Sequence, residues 1–93
     1  MVDYWLNIEE APGYEVSNTG KVRNIKTHRV LKPYLDRPNG YERVELNGKH
    51  HYVHKLVANR FFASDVDKTK KVVHIDGNKR NNFLANLEIR DRK

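Results

Sequence analysis

Histidine is the residue type in this sequence with the widest chemistry, because imidazole both exchanges protons near neutral pH and ligates metals. Five are present, and four of them could be imagined together as a zinc site: His50, His51, His54 and His74. Strand alternation places His50 and His54 on one face and His51 on the other, and the spacing matches no strong ligand pattern. We therefore interpret His50 and His51 as exposed residues near a turn, and His28 as solvated or phosphate-facing.

His74 differs from the others because a distinctive loop follows it. Residues 72–89 read VVHIDGNKRNNFLANLEI, an apolar run that ends at His74 and leads into a stretch rich in glycine and asparagine. Both residue types tolerate positive φ, and asparagine side chains cap nearby backbone donors. The pattern predicts a strand at 71–74, a long tight loop and a returning strand at 87–90. The residues expected to shape the loop are Asp76, Gly77, Asn78, Asn81 and Asn82.

The remaining sequence predicts short strands and one helix. GYEV, SNTG and KVRNI (13–25) predict a hairpin, and residues 29–34 could add a third strand. A break at 36–40 precedes YERVEL, the Asn47-Gly48 turn and a return through 50–53. Apolar residues at helical spacing predict a helix over 54–62, followed by a charged loop at 64–71. We expect one α+β domain over residues 1–93, with an N-terminal β module at 1–50 and a second region at 51–93.

Positive charge is concentrated in the middle of the chain. The net charge is +6, but residues 1–20 carry −4, residues 21–60 carry +7 and residues 61–93 carry +3. A polyanion would be attracted to the middle and the end rather than to the start. Concentration in the central β region favours a nucleic-acid footprint over an ordinary solvated surface.

Composition limits the class of protein. Ninety-three residues suffice for one small core, and the absence of cysteine removes disulfides and thiolate metal sites. No apolar segment approaches membrane-spanning length, and the start lacks the pattern of a secretion signal. We expect a cytoplasmic protein with no membrane partner.

Four motifs in one order resemble the phage- and intron-encoded HNH homing endonucleases over nearly the whole chain. WLNIEEAPGYEVSNTGKVRN is similar to the N-terminal module of that family, with its Trp, Tyr-x-Val-Ser-Asn turn and Gly-x-Val-Arg strand. GYERVEL, YVHKLVANRFF and VVHIDGNKRNNFLANLEI resemble the segments that follow. The resemblance implies a β-rich domain of hairpins with one central helix and a ββα-metal finger. It also implies DNA as substrate, one divalent cation (Mg²⁺ or Mn²⁺) as cofactor, and a phage-encoded protein acting in a bacterial host.

The resemblance also assigns roles to residues of the loop. His74 would be the general base, within hydrogen-bond reach of the attacking water. Asn86 would pin the loop and orient the histidine, with Asn82 the weaker candidate for that role. His54 would begin the family's His-Lys-Leu-Val-Ala helix and either pack under the loop or touch a phosphate.

Two departures from the family pattern predict that cleavage is weak or lost. The family normally has an acidic metal ligand directly before the histidine, and here that residue is Val73, which has no oxygen donor. The sequence also stops at Lys93, before the helix that supplies the family's other ligand, so the ββα finger is expected to be incomplete. Asp76 is a weak substitute ligand because it lies inside the loop. A fragment of a longer protein would account for the missing helix but not for Val73.

Double-stranded DNA is the expected partner, and ten residues are predicted to contact it: Lys21, Arg23, Lys26, Arg29, Arg43, His54, Lys55, Arg60, Lys79 and Arg80. Each charge alone is more often simply solvated, and only the set favours DNA. The alternative is a non-catalytic, phage-encoded interaction or inhibitor protein, which uses the HNH scaffold to bind a host nuclease or nucleoprotein complex.

Overall fold

The computed structural model describes residues 2–62 and 68–92, which form three small antiparallel sheets around one helix. The first sheet has strand order β1-β2-β3 and the second β4-β5-β6, and β7 pairs with β8 in the third. This arrangement confirms the predicted α+β class. The strands are β1 (Trp5–Asn7), β2 (Tyr14–Ser17), β3 (Val22–Asn24), β4 (Tyr34–Asp36), β5 (Tyr41–Leu46), β6 (Lys49–Tyr52), β7 (Lys70–His74) and β8 (Leu87–Asp91).

The N-terminal sheet contains the predicted hairpin but not the predicted third strand. Strands β2 and β3 pair antiparallel, with Val16 opposite Val22. The prediction of a third strand over residues 29–34 was wrong: Val30 makes an isolated bridge to Arg23, and only Tyr34 belongs to a strand, β4 of the second sheet. Asn24 accepts hydrogen bonds from the backbone of the next turn, and Pro33 lacks a backbone donor, so pairing with β3 is brief. The third position in the sheet is filled by β1, which pairs with β2.

The second sheet confirms the hairpin predicted around Asn47-Gly48. Both turn residues have positive φ, 52° and 82°, as a tight two-residue hairpin turn requires. Strand β5 alternates so that Val44 and Leu46 are buried while Glu45 is exposed. The edge strand β4 begins at Tyr34, just before the predicted break.

The helix α1 (Val53–Phe61) agrees with the predicted helix to within one residue at each end. It contacts strands of all three sheets, so its apolar face forms the centre of the core. Within the described residues, no helix combines the length and apolar character needed to cross a membrane. The core comprises Ile8, Ala11, Val16, Val22, Val44, Leu46, Val53, Leu56, Val57 and Leu87.

The third sheet confirms both strands predicted around the His74 loop. Strands β7 and β8 pair with His74 opposite Leu87 and Val73 opposite Glu88. The loop between them ends in a short 3₁₀ turn, Leu84–Asn86. Half of the charged loop predicted at 64–71, residues 64–67, lies outside the described residues; of the rest, Lys68 and Thr69 lie in a turn, and Lys70 and Lys71 belong to β7.

The N-terminal sheet packs directly against the His74 loop. The backbone N–H of Leu84 donates to the carbonyl of Asn18 at 2.7 Å. At Gly20, where φ is +84°, a Cβ atom would lie 2.9 Å from both Cβ and the carbonyl oxygen of Asn82. Only a residue without a side chain fits this approach, so Gly20 fixes the distance between the turn and the loop.

We expect Gly20→Ala to destabilise the protein more than Gly13→Ala. Both glycines have positive φ, which costs an L residue about 1–2 kcal/mol, but a Cβ at Gly13 meets nothing within 4 Å. The clash with Asn82 should add about 1–3 kcal/mol at Gly20. Urea denaturation of the two variants measures the difference. Equal losses of stability would show that the turn and the loop do not touch as described.

Candidate functional site

His74 is held at the end of β7 by a side chain from its own loop. Its ring is half-buried, and Nε2 donates to Oδ1 of Asn82 at 2.8 Å. An imidazole that donates from Nε2 keeps a lone pair on Nδ1. In this arrangement the Nδ1 atom is available to accept a proton.

Asn82 is 3% exposed, and its side-chain amide is hydrogen-bonded on both sides. Its Nδ2 donates to Oε1 of Glu42 at 3.0 Å, opposite to the contact with His74. Glu42 belongs to β5, and its Oε2 lies 3.9 Å from Nε of the exposed Arg80. Sequence reasoning missed Glu42, since 32 residues separate it from the histidine and no local pattern marks it.

The side chain of Asn86 makes its hydrogen bonds within the loop and not to His74. Its Oδ1 accepts from the backbone N–H of Asp76 at 3.1 Å, and its Nδ2 donates to Asp76 and to the carbonyl of Asn81. The direct contact with the imidazole is instead made by Asn82. The reason is positional: the main chain of Asn86 closes the β7–β8 ladder by accepting from Ile75, which leaves its side chain over the loop rather than beside the ring.

Asp76 organises the loop from inside. One oxygen accepts from the backbone of Asn78 and from Asn86, and the other accepts from Asn81 at 2.9 Å. These bonds, the one from Asn81 first, hold the pKa of the Asp76 carboxyl below its usual value. Both oxygens already accept hydrogen bonds within the loop, which argues further against Asp76, already a weak candidate, as a substitute metal ligand.

Aromatic rings line the inner side of His74. The rings of His54 and His74 lie 5.1 Å apart, and Tyr41 stacks against His54 at 4.7 Å. His54 is 4% exposed, and its Nδ1 has no hydrogen-bond partner among the described residues. Burial, followed by the nearby charges of His74 and Lys55, lowers the pKa of His54 to about 4. The burial of His54 agrees with packing under the loop, and a buried, uncharged ring argues against His54 as one of the DNA contacts.

A pocket of about 410 Å³ opens beside this ring stack. Its walls combine three cationic side chains, Lys55, Lys71 and Arg92, with the aromatic rings and with Val73. Lys71 and Arg92 were missed as site residues. Strand alternation was an available signal for Lys71, because residues two apart on a strand share a face and Val73 was already singled out.

Several predicted DNA contacts are bound within the protein. Lys21 pairs with Asp3 at 3.2 Å, and Arg23 pairs with Glu15 at 2.6 Å while lying 3.9 Å over the ring of Trp5. Their charges are partly compensated, which weakens them as phosphate contacts.

Arg43 is compensated in the same way by Asp36, at 3.1 Å. The hydroxyl of Tyr52 donates to the same carboxylate and is the main cause of its lowered pKa. Arg60, near the C-terminal end of α1, donates to the carbonyl of Asn7 in β1, so its guanidinium is held against the N-terminal sheet.

The other predicted contacts are exposed. Lys26 and Arg29 follow β3, and no side-chain partner is found for either in the described part of the chain. Lys79 donates to the carbonyl of Asn39 and lies 4.8 Å over the ring of Tyr41, and Arg80 is 65% exposed. Two groups of exposed cations therefore exist, one after β3 and one around His74.

The residues near His74 do not fit a divalent cation. Val73 has no donor atom, and Glu88, opposite it in the ladder, accepts a hydrogen bond from Arg90. In residues 2–62 and 68–92 there is no group of three or more His, Cys, Asp or Glu that could hold a metal ion. The three cationic side chains in the adjacent pocket would also repel a metal cation.

Two family models match the sequence in succession. Residues 3–47 match the model described as the NUMOD4 motif, and residues 51–93 match the model described as HNH endonuclease. Glu42 and Gly20 lie in the first match, and His74 and Asn82 lie in the second. The contacts between Glu42 and Asn82 and between Gly20 and Asn82 therefore join the two matched segments.

Known proteins resemble the chain over most of its length. It is 42% identical over 92 residues to an uncharacterised HNH endonuclease of Acanthamoeba polyphaga mimivirus, covering 95% of this chain and 27% of that protein. It is 41% identical over 88 residues to the DNA endonuclease I-HmuI of Bacillus phage SP01, covering 89% and 49%. A solved structure on DNA binding and cleavage by the HNH homing endonuclease I-HmuI matches with a TM-score of 0.80 and 38% identity, covering 95% of this chain and 52% of that one. The chain thus spans about half, or less, of the length of these relatives.

The buried His54 should make stability fall in mild acid. Its pKa is about 4 in the folded protein against an ordinary 6.5, so the unfolded chain binds more protons between these values. The contribution of the uncharged His54 to the free energy of unfolding is complete above pH 6.5. As the pH falls towards 4, this contribution decreases by about 3 kcal/mol. Urea denaturation at pH 7 and pH 4 measures this loss.

Between pH 7 and pH 4, the free energy of unfolding should fall by about 3 kcal/mol less in His54→Phe than in the unmodified chain, because phenylalanine does not titrate. Carboxylates titrate in both proteins and cancel in the comparison. His28→Asn is the control, since His28 is exposed and asparagine tolerates its φ of 60°. An unchanged pH dependence in His54→Phe would refute the buried, uncharged imidazole.

Proposed function

The chain belongs to the HNH homing endonuclease family, and on that premise we propose that it binds duplex DNA but hydrolyses it weakly or not at all. The observation that carries the proposal is the composition of the pocket beside His74. Lys55, Lys71 and Arg92 line it together with Val73. Such a pocket attracts a phosphate but offers no carboxylate where the family resemblance expects a metal ligand.

Binding is supported by the exposed cations that line the pocket or lie on the loop after His74. Lys55 and Lys71 line the pocket, and Lys79 and Arg80 extend from the loop. Clustered Lys and Arg side chains bind the DNA backbone by displacing its counterions. Lys26 and Arg29 after β3 are also exposed and form a second candidate set for phosphate contacts.

Hydrolysis needs more than the base. His74 can accept a proton at Nδ1, but a phosphodiester also needs stabilisation of the charge that develops in the transition state. Lysines and arginines near the phosphate supply part of this stabilisation. Without an oxygen ligand at residue 73, we expect Mg²⁺ or Mn²⁺ to support at most slow nicking.

The phage SP01 relative supports a phage origin. We propose that the chain is phage-encoded and acts on DNA in the bacterial cytoplasm. A non-catalytic role against a host nuclease or nucleoprotein complex is the alternative if DNA binding is not found.

The double variant Lys55→Ala/Lys71→Ala should weaken DNA binding and make it less sensitive to salt. If each lysine contacts one phosphate, the slope of log affinity against log salt should become shallower by about 1.8. Fluorescence anisotropy with a labelled duplex at several salt concentrations measures both quantities.

Lys49→Ala is the matched control, because Lys49 is exposed beside the Asn47-Gly48 turn, at the opposite end of the β5–β6 hairpin from Tyr41. It should leave the slope unchanged. Equal slopes in the double variant and the unmodified chain would exclude these lysines as contacts. No binding by the unmodified chain at low salt would end the DNA proposal.

Val73→Asp should increase nicking of supercoiled plasmid in Mg²⁺ or Mn²⁺. The added carboxylate supplies an oxygen ligand beside His74, and recovering electrostatic stabilisation of this kind is worth a factor of about 10²–10³ in rate. Gel separation of nicked and supercoiled plasmid measures the change. His74→Ala in the Val73→Asp background is the control and should abolish the gain. Efficient metal-dependent nicking by the unmodified chain, lost in His74→Ala, would contradict our proposal.

A further inference from the structure

We propose that Glu42 is a positioning residue for His74, acting through Asn82 to hold the imidazole in the form with hydrogen on Nε2 and a lone pair on Nδ1. The chain of contacts runs from Glu42 Oε1 to Asn82 Nδ2 at 3.0 Å, and from Asn82 Oδ1 to His74 Nε2 at 2.8 Å. The inference rests on the proposed role of His74 for its chemical meaning, but its geometry is independent of cleavage.

The direction of the contacts follows from what each group can do. A carboxylate only accepts hydrogen bonds, so the end of the Asn82 amide that faces Glu42 must be the donating NH₂. The amide oxygen then faces His74 and requires a hydrogen on Nε2. The opposite amide orientation would place an oxygen against the carboxylate and an NH₂ against the ring.

Burial makes this preference strong. Asn82 is 3% exposed, so water cannot readily replace a partner that it loses. The side chain of Glu42 is only 17% exposed and follows the buried face of β5 shared with Val44 and Leu46. The opposite amide orientation would leave buried polar atoms of Asn82 and Glu42 unpaired, which costs more free energy than the hydrogen bond itself contributes.

The backbone of Asn82 is fixed by a second contact from the N-terminal sheet. Gly20 approaches so closely that a Cβ there would overlap Asn82, and the neighbouring Asn18 carbonyl holds Leu84 of the same loop. Because the main chain of Asn82 is fixed, the main freedom left to its side chain is the orientation of the amide. The carboxylate of Glu42 determines that orientation.

The two matched segments therefore share one site. Glu42 lies in the segment matched by the NUMOD4 motif, and it selects the tautomer of a histidine in the HNH segment. A protonated Nδ1 could not accept a proton from water, so the selection decides whether the ring can act as a base from that atom. The N-terminal motif would then contribute to catalysis as well as to any DNA contact.

The experiment is long-range ¹H–¹⁵N NMR correlation of the histidine rings in the ¹⁵N-labelled chain at about pH 8, which reports the protonated nitrogen directly. In the unmodified chain we expect only the Nε2-protonated form of His74. Glutamine has nearly the shape of glutamate but can present either an acceptor or a donor to Asn82. Glu42→Gln should therefore lose the single form and add a population with hydrogen on Nδ1.

Glu45→Gln is the matched control, because Glu45 lies on the same strand but is exposed and has no contact with Asn82. It should keep the spectrum of the unmodified chain. Glu42→Ala removes the acceptor without adding a donor and should also give a mixture, so it serves if Glu42→Gln does not fold. An unmodified chain with hydrogen on Nδ1 of His74, or a folded Glu42 variant that keeps only the Nε2 form, overturns the proposal.

Failure of the proposed DNA binding gives a different result. If the unmodified chain does not bind duplex DNA at low salt but Glu42→Gln changes the tautomer of His74, the positioning role stands and only the proposed function is lost. If the chain binds DNA and the tautomer is the same in the folded Glu42 variants, the proposed function stands and the positioning role is lost.

Discussion

The buried amide of Asn82 is the constraint on which the rest of the site depends. At 3% exposure it must be hydrogen-bonded by protein on both sides, and it finds His74 on one side and Glu42 on the other. Those partners come from different sheets, so satisfying one side chain joins the β5 strand to the β7–β8 loop. The close approach of Gly20 makes the same junction tight enough that little rearrangement is possible.

His74 has different surroundings on its two sides. On the inner side, buried rings pack without charge, and the low pKa of His54 follows from that burial. On the outer side, exposed lysines and arginines surround a pocket that suits a phosphate. The histidine lies between an apolar, uncharged interior and a cationic surface. This placement favours a ring that is held rigidly yet can be reached by a nucleic acid.

Val73 changes the balance between binding and hydrolysis at this site. A carboxylate in its place would add a negative charge and an oxygen ligand among the cations, whereas valine leaves the pocket uniformly positive. A uniformly positive pocket attracts the ground-state phosphate, but attraction to the ground state alone does not accelerate its hydrolysis. This difference supports our proposal that the chain holds DNA rather than cuts it.

The sequence by itself determined the local structure and the family. Strong local signals such as Asn47-Gly48, the helical spacing of Val53, Leu56 and Val57, and the apolar run ending at His74 predicted the hairpins, the helix and the loop, because each depends on neighbouring residues. The tertiary structure alone decided that β1 completes the first sheet, that Asn82 contacts the imidazole, that His54 is buried, and that Glu42 reaches the loop. These features join residues that are far apart in the chain, and they depend on which polar groups are buried together. Periodicity and turn propensity carry no information about such pairings, so only the packed chain fixes them.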